Sequence, residues 1–369
     1  MNINFPQLNM SKFPEQFSGL NLTSMHATNP QPFSQRELEH TIGQTFNEII
    51  QDIDLGFSAD QGTISLRKSI ARNLYKHIKS ENVIVHAGAQ EALYCAFCSI
   101  LESNDKVLVI TPIYEPLDQI PLNLGCDVSY LPLNSKNNWS LDLSQVEANF
   151  KQGCKMFVIN FPHNPTGVTI SKLKLNKIIE LCKKYNVWLL SDEVFRGLEH
   201  EKKYRLPAVA DIYKKGISIG VISKAFAVPG LRIGWLVCQN QTFIQKVINI
   251  KGYLSICNSQ IDEILVSNIL NHSSKLLNRN LKIILSNKKK IQNLNGFLEH
   301  EIKVVIPNSG CCFFAELVNG DDEKLVIKIA QEQGYLLYPS SLFKTHVNGM
   351  RIGFGSNDFA RFLNQLNAF

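Results

Sequence analysis

Residues 155–192 read KMFVINFPHNPTGVTISKLKLNKIIELCKKYNVWLLSD and hold two apolar runs on either side of an amphipathic stretch. The runs KMFVIN (155–160) and VWLLSD (187–192) are largely continuous rather than alternating, which is typical of strands covered on both faces. The stretch 171–184 between them has the apolar spacing of a helix. This strand, helix and strand predict a parallel βαβ unit.

The same alternation continues from about residue 65 to 240 and predicts an α/β fold. We expect a large domain with a mostly parallel sheet flanked by helices. The further apolar runs are VIVHA (83–87), KVLVIT (106–111), SIGVIS (218–223) and IGWLVC (233–238), and the further helix-like stretches are 65–79 and 89–101.

The pattern changes after about residue 259. A long helical stretch (259–292) leads into short apolar runs and two more helices, near 323–334 and 357–367, which predicts a smaller α+β domain. The beginning of the chain is rich in Asn, Pro, Ser and Gln and predicts an extended arm. The predicted divisions are an N-terminal arm (1–45) packing on the small domain, a large domain (46–265) and a small C-terminal domain (266–369).

Composition narrows the classes of function. The 369 residues are 44% hydrophobic with a net charge of +6, and no run of about 18 apolar residues occurs, so we expect no membrane span. The lysines are spread rather than gathered in a basic stripe, which argues against nucleic-acid binding. Nine cysteines without a histidine-rich partner motif predict free thiols, no metal site and a cytoplasmic protein. Cys95 and Cys98 are interpreted as core packing.

Unusual polar residues stand at the ends of the predicted strands, where ligands gather in open α/β sheets. The turn AGAQEAL (87–93) places the backbone N–H groups of Ala89 and Gln90 at a helix start, which is an anion site. Asn164 lies in the turn FPHNPTG, and Asp192 ends a buried run where a carboxylate needs a cationic partner. Lys224 ends the next run, within GVISKAFAVPGLRIGW (220–235).

Five motifs, AGAQEAL, NFPHNPTG, SDEVFRGL, SKAFAVPGLRIGW and MRIGFG, occur in this order. With them the chain, from about residue 55 onward, resembles the class I/II aminotransferases of the aspartate aminotransferase superfamily. The resemblance implies a fold type I enzyme that uses pyridoxal 5′-phosphate. It also implies an amino acid and a 2-oxo acid as small-molecule partners and a homodimer with shared active sites.

By this resemblance, Lys224 forms the imine with the cofactor aldehyde and then moves the proton between the substrate Cα and the cofactor. Asp192 pairs with the pyridinium nitrogen, and Asn164 hydrogen-bonds the phenolic oxygen. Arg351, in MRIGFG, binds the substrate α-carboxylate through a bidentate pair.

The resemblance likewise assigns the phosphate to Arg232 and to the N–H groups of Ala89 and Gln90. Tyr114, in TPIYEPL, takes the position of the aromatic ring that stacks on the cofactor. Ser223 is included among the cofactor-binding residues, although continued strand alternation would point its side chain elsewhere.

Three residues depart from the family pattern. Phe195, Phe57 and Val221 stand where relatives often carry hydroxyl groups. Without the hydroxyl at Phe195, we expect a raised pKa of the Lys224 imine, measurable as the pH midpoint of the cofactor absorbance. The other two changes remove neutral hydrogen bonds to phosphate, each worth about 1 kcal/mol, and predict looser cofactor binding.

Three functions remain open. The first is transfer of an amino group from an L-amino acid to a 2-oxo acid. The second is β- or γ-elimination or cyclisation, because GYLSICNS (252–259) is similar to a subgroup that includes capreomycidine synthase. The third is a non-catalytic regulator that binds the cofactor, which the short, non-basic N-terminal segment disfavours. Arg196, directly after Phe195, is a candidate for binding a second carboxylate of the substrate.

Overall fold

The computed structural model describes residues 5–291, Leu294 and 302–366. Apolar runs rich in β-branched residues form most of the strands, which are numbered in chain order. Within these ranges the strands are β1 (Thr23–Ser24), β2 (Val83–His86), β3 (Lys106–Thr111), β4 (Asp127–Pro132), β5 (Cys154–Asn160), β6 (Trp188–Asp192), β7 (Gly216–Val221), β8 (Gly234–Val237), β9 (Ile302–Val304), β10 (Cys312–Leu317), β11 (Tyr335–Leu336), β12 (Tyr338–Pro339) and β13 (Gly349–Gly353).

Helices form where apolar residues recur on one face, and side-chain caps mark several of their beginnings: Ser171, for example, accepts a hydrogen bond from the Lys174 N–H. None of the described helices is long and apolar enough to cross a membrane. The helices are α1 (Asn9–Lys12), α2 (Gln35–Ile42), α3 (Phe46–Ile50), α4 (Ile64–Leu74), α5 (Ala89–Ile100), α6 (Pro116–Asn123), α7 (Leu143–Lys151), α8 (Lys172–Tyr185), α9 (Val209–Ile212), α10 (Gln241–Gly252), α11 (Gln260–Asn271), α12 (Ser273–Ile291), α13 (Asp322–Gln333) and α14 (Phe359–Leu366).

The main sheet has the strand order β2–β8–β7–β6–β5–β3–β4 across the described residues. Strands β7, β6, β5, β3 and β4 run parallel, whereas β8 is antiparallel to both of its neighbours. The mostly parallel α/β sheet is therefore confirmed. The sequence interpretation missed β4, because this edge strand is largely exposed and its residues DVSYLP form neither an apolar run nor a clean alternation.

Successive residues of the central strands enter two separate cores, one on each face of the sheet. In β5, Phe157 and Ile159 pack in one core, and Met156 and Val158 pack in the other. Helices α5, α6 and α10 cover the second core, and α4, α7 and α8 contribute to the first. Coverage on both faces explains why the strands read as continuous apolar runs.

A four-stranded antiparallel sheet, β12–β13–β10–β9, follows the main sheet in the described part of the chain. The helical stretch predicted over 259–292 is two helices, since α11 ends at Asn271 and α12 begins at Ser273; residue 292 lies outside the described residues. Strand β1, from the N-terminal segment, pairs in parallel with β11. The division at residues 45 and 265 stays a prediction.

The parallel strands end at one edge of the main sheet, and this edge positions the site. Asp192 is the last residue of β6, and Asn160 is the last residue of β5. Lys224 follows the end of β7 by three residues. Strand β2 ends at His86, two residues before Gly88, and Gly88 is the N-cap residue directly before α5.

Candidate active site

The sheet edge, the N-terminal arm and the small sheet enclose a cavity of ≈ 540 Å³. A cavity of this size is typical of small-molecule sites. The structure brings together all of the residues predicted to form the site, because each of them lines this cavity: Ala89, Gln90, Tyr114, Asn164, Asp192, Ser223, Lys224, Arg232 and Arg351.

Lys224 carries an amine into the cavity from the loop after β7. Its Nζ donates a hydrogen bond of 2.8 Å to Thr28 Oγ1. Burial and then the positive charge of Arg351 lower the pKa of Lys224 below its usual range. A lysine with a lowered pKa is neutral more often near neutrality, so its amine can act as a nucleophile or a base.

Asp192 presents a buried carboxylate to the same cavity. Its Oδ1 accepts a hydrogen bond of 3.2 Å from the Val194 N–H, and among the described side chains no cation lies within 4.0 Å of it. Burial is the main cause that raises the pKa of Asp192 to about 7. A positively charged group of a ligand would compensate this carboxylate.

The Asn160 side chain ties two of the strand-end loops together. Its Nδ2 donates to the Asp192 carbonyl oxygen at 2.8 Å, and its Oδ1 accepts from the Asn164 N–H at 2.7 Å. Asn160 is itself buried, so both bonds are shielded from water. The sequence interpretation missed this residue, although a polar side chain ending a buried strand was a usable signal.

Arg351 reaches the cavity from β13 in the small sheet. Its Nη1 donates a hydrogen bond of 2.9 Å to Asn164 Oδ1, while its buried Nε has no protein partner. The guanidinium carbon lies 5.1 Å from the Tyr338 ring centroid and 5.0 Å from that of Phe343. The two rings pack against the planar Arg351 guanidinium and hold it in place. Its N–H donors that lack a protein partner suit a carboxylate.

Arg232 lies at another end of the cavity with a left-handed backbone (φ 44°). Its Nη1 donates to the Pro229 carbonyl at 3.0 Å and to Ser223 Oγ at 3.3 Å. The expectation that continued alternation turns Ser223 away is therefore wrong, because β7 ends at Val221 and the chain leaves the strand before residue 223. Val221 lines the cavity as a buried apolar side chain.

The beginning of α5 faces Arg232 without a side-chain cap. Gly88 precedes the helix at φ 93°, and a Cβ there would lie 2.7 Å from Arg232 Nη2. A Cβ on Gly234 would lie 2.6 Å from the Ala89 nitrogen. The two glycines let the helix start and the guanidinium approach one another. Because the first N–H groups of a helix lack intrahelical partners, Ala89 and Gln90 add donors for an anion.

Tyr114 stands between these groups on the cavity wall. Its hydroxyl donates a long hydrogen bond of 3.3 Å to Gln90 Oε1. Burial and then the Asp192 charge raise the pKa of Tyr114 to about 12, so the phenol stays protonated at neutral pH.

The departures from the family pattern occupy different places. Phe195 lines the cavity and is buried, whereas Phe57 is 90% exposed and lies outside it. Arg196 also lies outside the cavity, where its Nη1 donates to the Leu206 carbonyl at 2.9 Å. The suggestion that Arg196 reads a second carboxylate therefore gains no support from the cavity lining and stays a prediction. The effect of Phe195 on the lysine pKa stays a prediction.

The N-terminal arm contributes a wall that sequence reasoning did not anticipate. Ser24, His26 and Thr28 line the cavity, and the His26 ring stacks on Tyr338 with centroids 3.9 Å apart. Burial, followed by the charges of Arg351 and Lys224, lowers the pKa of His26 to about 3, so its imidazole is neutral. No periodic pattern in this polar segment marked these side chains.

Residues 34–360 match the family model for aminotransferase class I and II. The chain belongs to this family. It is 28% identical to capreomycidine synthase from Streptomyces vinaceus over 273 residues, which are 74% of this chain and 69% of that enzyme. It is 31% identical to aspartate aminotransferase from Sulfurisphaera tokodaii over 208 residues, covering 55% of this chain and about half (52%) of the relative.

Solved structures share the fold over nearly the whole length. A PLP-dependent aminotransferase from Streptococcus suis superposes with a TM-score of 0.89 at 24% identity, covering 98% of this chain and 99% of the other. The PLP-dependent cyclase OrfR superposes with a TM-score of 0.87 at 21% identity, covering 99% of this chain and 98% of the other. The fold type I prediction is confirmed.

The cofactor of this family member is pyridoxal phosphate, and the cavity fits it on three observations. The buried Asp192 carboxylate has no cation within 4.0 Å among the described residues and suits a pyridinium nitrogen. The glycine-lined approach of α5 to Arg232 leaves donors for a phosphate. The Lys224 amine with its lowered pKa suits the aldehyde.

We predict that Asp192→Asn stabilises the cofactor-free chain in a pH-dependent way. The folded pKa of about 7 lies above the ordinary value of 3.8, so the folded state retains a proton that the unfolded state releases. The wild type therefore loses stability relative to the variant as pH rises from about 4 to about 7. Above about pH 7 the difference in free energy of unfolding reaches at most about 4 kcal/mol, which is the free energy that corresponds to three pKa units.

Urea unfolding of both cofactor-free proteins at pH 4.5, 6 and 7.5 measures this difference. Asp127→Asn, which removes an exposed carboxylate at the beginning of β4, is the control, and its difference from the wild type should stay constant with pH. If the difference in free energy of unfolding between Asp192→Asn and the wild type did not change with pH, the conclusion that the buried Asp192 carboxylate lacks a compensating cation would be contradicted.

Proposed function

We propose that this enzyme moves an amino group between an L-amino acid and a 2-oxo acid, with Lys224 as the residue that attaches the cofactor. One observation carries the proposal: a lysine amine with a lowered pKa and a buried guanidinium with free donors line the same cavity. The Lys224 amine can act as a base, and the Arg351 guanidinium can bind an α-carboxylate.

When bound, pyridoxal phosphate withdraws electrons from the Cα of an attached amino acid. With the cofactor bound, Asp192 would keep the ring nitrogen protonated, and Asn164, held by Asn160 and Arg351, would hydrogen-bond the phenolic oxygen. Lys224 Nζ would take the proton from the substrate Cα and deliver it to the cofactor. Arg351 fixes the carboxylate so that the Cα–H bond faces that amine.

The charged side chains that line the cavity favour a cofactor and a substrate that carry anionic groups. The cationic side chains among the lining residues are Lys224, Arg232 and Arg351, and Asp192 is the lining carboxylate. With Lys224 used for attachment, the two guanidiniums match one phosphate and one α-carboxylate. No further guanidinium among the lining residues is left for a second substrate carboxylate, which disfavours dicarboxylic amino acids within the cavity of this single chain.

Cyclisation or elimination on an amino-acid substrate is the second candidate. The similarity to capreomycidine synthase over 74% of this chain supports it, and the chain shares its fold with the PLP-dependent cyclase OrfR. Lysine, aspartate and arginine in the same places serve both reactions. The two candidates differ in the fate of the substrate's amino group, which transamination leaves on the cofactor and the second candidate does not.

We predict that an amino acid alone converts the bound cofactor stoichiometrically to its pyridoxamine form. This outcome follows if Lys224 delivers the proton to the cofactor side and water then hydrolyses the C=N bond, so that the oxo acid leaves with the water oxygen and the nitrogen stays on the cofactor. The measurement is chromatography of the released cofactor after incubation with a panel of twenty amino acids without any oxo acid. Unchanged cofactor together with ammonia or a cyclised product would contradict transamination and favour the second candidate.

We further propose a homodimer, on the basis of an exposed apolar patch. The patch, named here the interface patch, consists of Leu55, Phe57, Tyr253, Leu254 and Ile256. Phe57 and Tyr253 are 90% and 93% exposed, which is unusual for large rings. The buried Lys251 ammonium joins the two segments by donating to the Asp60 carbonyl at 2.7 Å and to the Ile256 carbonyl at 3.3 Å. A second copy of the chain is the proposed occupant.

We predict that Phe57→Ser combined with Tyr253→Ser weakens self-association at least about tenfold, because aromatic side chains dominate interface energies. Sedimentation equilibrium of the loaded enzyme gives the dissociation constant. Leu173→Ser, which alters an equally exposed apolar residue on α8 (75% exposed), is the control and should leave the dimer intact. A monomeric wild type, or an unchanged dissociation constant in the double variant, would contradict the proposal.

A further inference from the structure

The N-terminal arm is bound tightly to the small sheet next to the cavity. The Met25 N–H donates to the Leu336 carbonyl at 3.0 Å, and the Gly353 N–H donates to the Met25 carbonyl at 2.6 Å. A Cβ on Gly353 would lie 2.1 Å from the Ala27 oxygen, so only glycine lets the arm approach this closely. The position of the arm backbone is therefore fixed rather than adjustable.

The same anchoring continues on both sides of residue 28. The Gln31 N–H donates to the Gly355 carbonyl at 2.8 Å, and the Phe33 N–H donates to the Ala227 carbonyl at 3.1 Å. Ala227 belongs to the loop that carries Lys224. The arm thus contacts the small sheet and the lysine loop within a few residues, and Thr28 lies between these two attachments.

The Thr28 side chain is the point at which the arm meets the predicted reactive group. Thr28 is 6% exposed, and its Oγ1 accepts the 2.8 Å hydrogen bond from Lys224 Nζ. In the described part of the chain no carboxylate lies within 4.0 Å of this ammonium, so the hydroxyl is the partner that fixes its direction. Met25, on the arm's other side, is 1% exposed and packs in the core.

We propose that Thr28 is a positioning residue for Lys224: the arm supplies a hydroxyl that holds the lysine amine facing the cavity. The proposal rests on the function proposed for Lys224. A hydroxyl accepts a hydrogen bond from an ammonium and donates one to a neutral amine, so it holds Nζ in both protonation states. Thr28 forms and breaks no covalent bond in the reaction. Its hydroxyl holds the flexible four-carbon side chain of Lys224, so that Nζ stays where the proton must be delivered.

Other groups around the amine set the background against which this hydrogen bond acts. Besides Thr28, charged or titratable side chains from the main sheet, the small sheet and the arm influence Lys224. They are Asp192, Arg351, Cys311, Cys312 and His26. Among them the Arg351 charge opposes the ammonium, and the Asp192 charge favours it. Substitutions at residue 28 leave these five side chains in place, so they report on the Thr28 hydroxyl itself.

The test uses Thr28→Val, which keeps the side-chain shape and removes the hydroxyl, in the full-length cofactor-free chain. Competitive labelling of Lys224 by acetic anhydride, followed by peptide mass spectrometry across pH, gives the pKa of this amine. A hydrogen bond to the charged ammonium is stronger than one to the neutral amine, so loss of the hydroxyl should lower that pKa, by at most about one unit. Thr28→Ser should restore the wild-type value, and Thr23→Val, an exposed residue of the same arm, should not change it.

A Thr28→Val curve that superimposes on the wild-type curve would overturn the proposal, as would failure of Thr28→Ser to restore it. Thermal melting checks that each variant is folded, and Thr28→Ala replaces Thr28→Val if the latter is not.

Turnover of the loaded enzyme gives an independent readout. Thr28→Val should lower kcat about tenfold with KM within twofold, the effect of one misplaced hydrogen bond. A raised KM with unchanged kcat would mean that Thr28 contacts substrate instead, and would overturn the proposal. If the wild type shows no amino transfer while the labelling shift persists, the positioning role stands and the proposed function fails.

Discussion

Asp192 and Lys224 are buried beside the same cavity without forming an ion pair, and the rest of the site is organised around this unpaired arrangement. Burial raises the pKa of the Asp192 carboxyl to about 7 and lowers the pKa of the Lys224 amine, so the charged form of each group is destabilised. A ligand that carries a cation for Asp192 and an aldehyde for Lys224 relieves both. Parallel strands ending at one edge make the arrangement possible, since β6 carries the carboxylate and β7 leads to the lysine.

The remaining parts of the site fix the geometry around these two groups. Asn160 joins the loops after β5 and β6, and Asn164 links that edge to Arg351 in the small sheet. At the predicted phosphate end, glycines at 88 and 234 let a helix start and a guanidinium approach one another. A third contribution comes from the arm, whose Thr28 reaches the lysine itself.

Much of this could be predicted from sequence, for identifiable reasons. The strands buried on both faces are continuous apolar runs, and the predicted site residues follow those runs directly, so the sheet edge and the cavity lining were readable. Strand β4 was not, because an exposed edge strand carries no apolar run. The roles of Thr28 and His26 depend on contacts about 200 and 300 residues away in the chain, which local patterns do not encode. Ser223 was misjudged because alternation was extended past the end of β7.

The most direct measurement of the central claim is covalent trapping of the cofactor in the loaded enzyme. Borohydride reduction followed by peptide mass spectrometry locates the residue attached to pyridoxal phosphate. The account predicts the added mass on Lys224 alone, its loss in Lys224→Ala, and its retention in Lys214→Ala, which alters an exposed lysine of the same region. Cofactor mass on another lysine, or trapping that persists in Lys224→Ala, would contradict the account.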